Sequence, residues 1–327
     1  MTQSMFHPAA PQAEAPAVPQ VSIVLPCYNA ADTLQATLDS LLAQTRTDWE
    51  AICVDDGSTD ATRTILADAA LRDRRIRLMR NPGRGPSAAR NAGAQAAQGR
   101  ILAFLDADDL WAPQKIDRLV AAFAGTGSGP ATDGVFARVA FFRTDPAAPG
   151  TVSARPQATL DVATLLGENP VCTMSNLALR RDLFVEAGGF DEGMVHAEDL
   201  ELLIRLVGGG ARIQGLDEVL VSYRTSAAGL SSDLSAMAAG RAAALATARR
   251  LGHSPCRRAE AIHLRYLARR ALRLSAGRVT ALTLALRGLR ASPRGFFSPP
   301  RRGGLVAAGA LAALVLPRPV NRALFAR

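Results

Sequence analysis

ILAFLDADDLW, residues 101–111, joins an apolar strand pattern to a dense acidic exit. Ile101, Leu102, Ala103, Phe104 and Leu105 run without interruption and stop at Asp106, Asp108 and Asp109. A run of this length is the pattern of a strand buried on both faces of a parallel sheet. Ligands of open α/β sheets bind just beyond the carboxyl ends of such strands. Three carboxylates crowded at one exit repel one another, so a proton or a cation is expected among them. Hard divalent cations such as Mg²⁺ or Mn²⁺ take oxygen ligands and bridge to substrate diphosphates. Taken alone, the stretch also fits a solvated turn whose acids cap the next helix. Its neighbours decide.

Upstream, three more apolar runs end in polar signals. Val21–Leu25 runs into Pro26-Cys27-Tyr28-Asn29, and proline is expected to end that strand. Leu34, Leu38, Leu41 and Leu42 follow at helical spacing, with Asp32 or Thr33 as the cap. Trp49–Val54 is a second strand that stops at Asp55-Asp56-Gly57-Ser58-Thr59-Asp60, after which Ser58 or Thr59 opens a helix. Ile76–Met79 is a third strand, followed by the loop Asn81–Pro86 and a helix starting at Ser87 and ending at Gly99. Four strand–helix alternations with short connections predict a mostly parallel sheet with right-handed crossovers, an α/β fold. Several polar exits then lie along one sheet edge, positioned to converge on one ligand.

Downstream, Lys115–Phe123 reads as a helix, Val135–Arg143 as a strand, Thr159–Leu166 as a short helix and residues 171–180 as a strand. Gly188-Gly189-Phe190-Asp191-Glu192 is a turn. His196-Ala197-Glu198-Asp199 opens the helix Leu200–Val207, and Val219–Tyr223 is a last strand. From Ala236 onward the chain is rich in Ala, Leu and Arg and helical by propensity. Within Arg257–Leu274, Leu264, Leu267, Ala271 and Leu274 make an apolar stripe, while Arg265, Arg269 and Arg273 form a second face at spacing four. Gly304–Leu316 is apolar but too short to span a bilayer as a helix, which needs about 20 residues.

The 327 residues carry a net charge of +9, unevenly spread. Arg241–Arg327 holds 18 Arg and one acid, Glu260, a net +17. The preceding 240 residues hold 20 basic and 28 acidic side chains, a net −8. The basic region predicts an anionic partner. Its Arg residues alternate with a Leu/Ala stripe and few aromatics, which suits an anionic membrane surface and not nucleic acid. The four cysteines are widely spaced, with no metal-ligand spacing, and are expected as free thiols. Residues 1–19 lack the basic start and apolar core of a signal peptide and are expected to be a disordered leader, with action in the cytoplasm, peripheral on the inner face of the membrane.

PCYN (26–29), VDDGSTD (54–60), GPSAARN (85–91), DADD (106–109), GGFDE (188–192) and ED (198–199), in this order and spacing, resemble the family-2 glycosyltransferases with the GT-A fold. The similarity covers roughly residues 20–230, with basic helical extensions familiar on bacterial members that build surface polysaccharides. It implies a Rossmann-like GT-A domain over 20–235, divided into a nucleotide-sugar-binding half (20–111) and an acceptor and catalytic half (112–235). A basic helical extension over 236–327 follows. The implied chemistry is inverting transfer of a sugar from a nucleotide-diphosphate donor, a UDP-sugar, to a hydroxyl of a glycan or lipid-linked acceptor, with Mn²⁺ or Mg²⁺.

The resemblance also implies residue roles. Pro26, Tyr28 and Asn29 line the base and ribose pocket, Asp56 contacts the base, and Arg90 approaches the diphosphate. Asp108 and Asp109 hold the metal, Asp106 addresses the ribose or a metal-bound water, and Asp199 is the catalytic base. Members often carry a His two residues after a Tyr-Arg pair. Here Ser226 takes that position after Tyr223-Arg224, so that any grip of this loop on the diphosphate falls on Arg224 or is lost. His196 is expected at the surface near the base. A sugar nucleotidyltransferase would require a Gly-rich signature with Arg and Lys after the first strand, where this chain has PCYNA. A non-catalytic protein holding nucleic acid or membrane through its basic tail is the other alternative.

Overall fold

The computed structural model describes residues 18–125, 131–225, 233–274, 278–316 and 320. Most of the leader 1–19 and Ser226 lie outside the described residues. The first half of the chain alternates β1 (Val21–Cys27), α1 (Ala31–Leu42), β2 (Trp49–Asp55), α2 (Thr62–Arg72), β3 (Ile76–Arg80), α3 (Gly85–Ala96) and β4 (Ile101–Phe104). Then come β5 (Leu110–Trp111), α4 (Lys115–Ala124), β6 (Gly134–Phe142), β7 (Thr151–Val152), α5 (Val162–Leu165), β8 (Ala178–Arg180), α6 (Arg181–Glu186), α7 (Glu198–Gly208) and β9 (Ile213–Arg224). These strands form one sheet in the order β3-β2-β1-β4-β8-β6-β9-β5, with β7 on β6.

The first four strands pair in parallel. The sheet then becomes mixed, because β8 runs antiparallel to both β4 and β6 while β6 and β9 are parallel. Strand alternation sorts the side chains into two layers. Val21, Ile23 and Leu25 pack with Leu34, Leu38 and Leu41 of α1, Leu66 of α2 and Ile116 and Leu119 of α4. Val24 points the other way, into a core shared with Ala89 and Ala94 of α3 and Leu202, Leu203 and Leu206 of α7. The result is helix, sheet and helix in three layers, the GT-A architecture expected.

Three readings need correction. Pro26 does not end its strand: β1 continues to Cys27 in register with β2. Val24 C=O accepts from Leu105 N–H on the β4 side, so Pro26, two residues on, turns its missing N–H the same way. Pairing with β4 involves only Val21–Val24, so no ladder bond is lost at Pro26. Residues 171–180 are not one strand. Cys172 has φ +71, Thr173 caps a 3₁₀ turn over Met174–Asn176, and only Ala178–Arg180 joins the sheet. Asn176 fixes that turn, its Nδ2 donating to Ala137 C=O and Val171 C=O at 2.7 and 2.9 Å. Side-chain capping of α1 and α2 also fails. Ala30 and Ala61 stand at their N-caps, and the hydroxyls of Ser58 and Thr62 instead accept the N–H groups of Asn29 and Ala30.

The C-terminal region is helical: α8 (Leu234–Arg250), α9 (Arg257–Leu274), α10 (Arg278–Ala291), α11 (Pro293–Phe296) and α12 (Pro300–Val315). Ala244 and Ala248 of α8 belong to the core under the sheet, whereas Ala261, Ala268, Ala285, Phe296 and Ala310 build a separate core among α9–α12. The arginine face expected on α9 is split. Arg265 is buried and bonded to Phe296 C=O, Ser298 C=O and Glu168, while Arg269 is exposed. Among the described residues no helix is long and apolar enough to cross a membrane.

Candidate active site

The carboxyl ends of β1, β2 and β4 open on the same edge of the sheet, and their exits are tied to one another. Asn29, at φ +46, accepts Thr59 N–H on its Oδ1 at 2.8 Å and donates its own N–H to Ser58 Oγ at 3.1 Å. Tyr28 beside it stands 61% exposed, a flat ring with no core to fill. Asp56 follows β2. Its carboxylate accepts from Asn81 Nδ2 at 2.6 Å and from Gly85 N–H at 2.9 Å, which fixes it against the first turn of α3. Gly85 sits at φ +86, a conformation that favours glycine.

The acidic turn after β4 is held from two sides. Thr33 and Thr37 of α1 donate to Ala107 C=O and Asp109 C=O, both at 2.9 Å. Ser175 accepts Asp106 N–H at 3.0 Å and donates to Asp109 Oδ2 at 2.5 Å, and its carbonyl receives the Trp111 indole N–H at 2.8 Å. Arg224 closes the third side: its N–H donates to Asp109 Oδ1 at 2.9 Å and its Nε to Asp108 C=O at 3.1 Å. Asp109 is therefore 0% exposed with both carboxylate oxygens engaged, whereas Asp106 and Asp108 remain half-buried at the opening. Burial first, and then the Asp106 charge, push Asp108 up to about 6. Asp109 is also raised, by burial and then by the charges of both neighbours. No local signal in the sequence marks Ser175, because its segment reads as strand.

Across the opening, Glu198 and Asp199 begin α7 behind Ala197, which is held at φ +59. Asn169 Nδ2 donates to Asp199 Oδ2 at 2.9 Å, a contact that nothing in the linear motif signals. Arg90 of α3 joins the two acidic elements: one terminal nitrogen is 2.8 Å from Asp106 Oδ1, the other 3.1 Å from Glu198 Oε1. It is 5% exposed. Burial, together with the Asp199 charge, pushes Glu198 up to about 7, and burial raises Asp199 too.

GPSAARN and GGFDE prove to be two halves of one clasp. Asn91 accepts Phe190 N–H at 2.8 Å and donates to Phe190 C=O and Glu192 at 2.9 Å. A Cβ at Gly189 would lie 2.5 Å from Asn91 Oδ1, so glycine is required there. Phe190 meets Phe104 edge-on at 5.4 Å and Phe184 at a tilt at 5.5 Å, with the Arg90 guanidinium 5.5 Å from its ring centroid. The fold thus gathers Pro26, Tyr28, Asn29 and Asp56 on one side, and Arg90, Asp106, Asp108, Asp109, Asp199 and Arg224 around the acidic turn.

Among the described residues, no group of three or more His, Cys, Asp or Glu side chains is arranged as a metal cage. Two open carboxylates nevertheless suit a cation that completes its shell with water and a substrate diphosphate. Burial and then the Asp106 charge raise Asp108, and such a cation relieves the repulsion between the two.

Other proteins share both the sequence pattern and the architecture. EpsJ of Bacillus subtilis, an uncharacterized glycosyltransferase, is 32% identical over 211 residues, covering 63% of this chain and 61% of EpsJ. The Escherichia coli UDP-Glc:alpha-D-GlcNAc-diphosphoundecaprenol beta-1,3-glucosyltransferase WfgD is 42% identical over 98 residues, 30% of this chain and 38% of WfgD. The chain thus spans less than two thirds of the length of either relative. Staphylococcus aureus TarS 1-349 in complex with UDP-GlcNAc superimposes with a TM-score of 0.60 at 16% identity, covering 94% of this chain and 89% of that one. The mannosyltransferase PcManGT of Pyrobaculum calidifontis, in complex with GDP-Man and Mn²⁺, gives 0.57 at 21% identity, covering 94% and 84%. The sequence profile of glycosyl transferase family 2 matches residues 22–188, which takes in β1 through the acidic turn and the first half of the clasp. By that match the chain belongs to glycosyl transferase family 2.

Proposed function

We propose that this protein is an inverting glycosyltransferase that moves a sugar from a nucleoside-diphosphate donor, a UDP-sugar, to a hydroxyl of a glycan or lipid-linked acceptor in surface-polysaccharide synthesis. The observation that carries this reading is the Asp106–Arg90–Glu198 bridge, which sets Asp199 across the opening from the acidic turn. On the donor side, the exposed Tyr28 ring stacks on the base, with Pro26 and Asn29 beside it. Asp56, oriented by Asn81 and Gly85, accepts from the base edge.

Mn²⁺ or Mg²⁺ would be held by Asp108, whose carboxylate faces the opening, with Asp109 behind it bonded to Ser175 and Arg224 N–H and Asp106 paired with Arg90. When bound, the cation supplies Lewis-acid stabilisation of the charge on the departing nucleoside diphosphate. Arg224 adds a guanidinium at the same turn. Asp199 takes the proton of the acceptor hydroxyl onto its carboxylate as that oxygen attacks the anomeric carbon. One direct displacement inverts the configuration. Arg90 acts as a positioning residue that keeps base and acidic turn in register. The exposed ridge Leu305, Leu311 and Val315 of α12 lies against the inner face of the cytoplasmic membrane in this reading.

The test is Asp199→Asn. Turnover should fall by about 10²–10⁴-fold, while Mn²⁺-dependent donor binding, measured by calorimetry, stays intact. Near-wild-type turnover in that variant would remove Asp199 from the reaction.

A further inference from the structure

The C-terminal helices clamp the loop that touches Asp199. Asp199 accepts the Leu200 N–H on Oδ1 at 2.7 Å and the Asn169 amide on Oδ2 at 2.9 Å. The orientation of that amide is set by its other end: Asn169 Oδ1 accepts the Val171 N–H at 3.0 Å, which turns Nδ2 toward the carboxylate. Among the described residues, Asn169 supplies the one side-chain hydrogen bond to Asp199. It follows directly on three residues tied to α8, α9 and α12. Leu166 C=O accepts from Arg241 of α8 at 2.7 Å. Gly167 lies against α9, where a Cβ would meet Ile262 Cγ2 at 3.4 Å. Glu168 pairs with Arg265 of α9 at 3.2 Å and with Arg302 of α12 at 3.5 Å. Arg265 is buried and donates also to Phe296 C=O and Ser298 C=O, so it joins Glu168 to the turn between α11 and α12.

We propose that Asn169 is a positioning residue for the transfer, fixing the Asp199 carboxylate in one orientation, and that α9 and α12 keep it in place through Glu168. The inference rests on the proposed role of Asp199 as base and adds the groups that control it. An amide N–H donated to a carboxylate favours the ionised form, which is the form that takes a proton. Burial raises Asp199, and the Leu200 N–H, Arg90 and the Asn169 amide act against that rise. The other titratable groups around Asp199 are Glu198 beside it on α7, Cys172 on the Asn169 loop and Tyr266 of α9. The C-terminal helices thereby take part in catalysis through a hydrogen bond, with no contact to substrate required.

The experiment uses the full chain with Mn²⁺ and UDP-glucose or UDP-N-acetylglucosamine, and follows UDP release across pH. With water as acceptor, its oxygen bonds to the anomeric carbon, its proton passes to Asp199 and UDP leaves. In Asn169→Ala, kcat should fall at least about tenfold, and its rise with pH should move upward by about one unit. Asn169→Asp keeps the shape but sets a second carboxylate against Asp199, and should move the rise further. Donor KM should stay near wild type in both. Glu168→Ala should also move the rise upward, whereas loss of a nearby negative charge alone would move it down. The double variant Asn169→Ala/Glu168→Ala should lose no more than Asn169→Ala does. A wild-type pH profile in both Asn169 variants, with Asp199→Asn inactive, would overturn the inference and leave the base in place. A downward shift in Glu168→Ala, or additive losses in the double variant, would overturn the link to the C-terminal helices. Wild-type turnover in Asp199→Asn would remove the base and this inference together. Should neither donor release UDP, the Asp199 carboxyl carbon, assigned by its loss in Asp199→Asn, is titrated by ¹³C NMR. The same upward shift is expected there in Asn169→Ala, and an unchanged titration overturns the inference.

Discussion

Lys115, the single lysine of the chain, lies 1% exposed with its ammonium 5.1 Å from the Trp111 ring centroid. Its Nζ has no hydrogen-bond partner, and burial lowers it from 10.5 to about 7. A depressed folded value means that the unfolded chain binds more protons between those limits, so this group's contribution rises with pH from about 7 to 10.5 and is lost as pH falls through 7. Lys115→Met should therefore stabilise the protein at pH 7 by on the order of 2 kcal/mol and flatten the alkaline slope, as read by denaturant unfolding across pH. Asp108 has the opposite sign. Raised from 3.8 to about 6, it favours the folded state fully below 3.8 and loses that contribution as pH rises through 6. A cation competes with that proton. Mn²⁺ should raise Tm clearly at pH 7.5 and little at pH 5, and Asp108→Asn should abolish the difference. A pH-independent Mn²⁺ shift would place the cation elsewhere. Glu198 and Asp199 titrate together and burial raises both, so kcat should rise with pH as Asp199, the proposed base, gives up its proton.

At the scale of elements, the site depends on how closely helices approach loops. α8 crosses the loop that leads into Glu198 and Asp199: a Cβ at Gly240 would lie 2.2 Å from His196 C=O, directly before Ala197 at φ +59. The helix backbone thus props a strained residue that aims Glu198 and Asp199. Gly240→Ala must push the loop or the helix, at a cost of about 1–3 kcal/mol. Its larger effect should be on kcat, with Mn²⁺-dependent donor affinity preserved because Tyr28, Asp56 and Asp108 sit on other elements. Equal loss of kcat and donor affinity would point to general unfolding instead. α3 meets the sheet as tightly, since a Cβ at Gly93 would fall 2.4 Å from Val24 Cγ1. That approach is what lets Arg90, on the same helix, reach Asp106 and Glu198.

For the molecule as a whole, α8 belongs to the core under the sheet. Arg241 donates to Leu166 C=O at 2.7 Å, Thr247 donates to Glu201 at 3.0 Å, and Ala244 and Ala248 are fully buried under the sheet. We place the division of the chain after α8, not before it. A chain ending after residue 232 should lose at least about 10 °C of Tm and its turnover. One ending after residue 252 should keep donor binding and most of its Tm. If the shorter chain unfolds at the wild-type temperature, α8 is dispensable and the division lies at residue 235.

The sequence by itself determined the parallel half of the sheet, because uninterrupted apolar runs ended by Tyr28-Asn29, Asp55-Asp56 and Asp106–Asp109 admit few other structures. It also marked the residues at those exits, since acids and exposed aromatics at strand ends carry a local signature. The tertiary structure alone decided what those residues touch. Asp109 differs from Asp108 by one position, yet Ser175 and Arg224 N–H bury it, and both partners come from parts of the chain more than 60 residues away. Arg90 reaches Glu198 across 108 residues and Asn169 reaches Asp199 across 30, by contacts that no local pattern encodes. The arginines of α9 read as one regular face in sequence, but helix packing buries Arg265 and leaves Arg269 exposed. Periodicity fixes which side of an element is apolar; only packing against distant elements fixes the partners, and with them the charge state and the role.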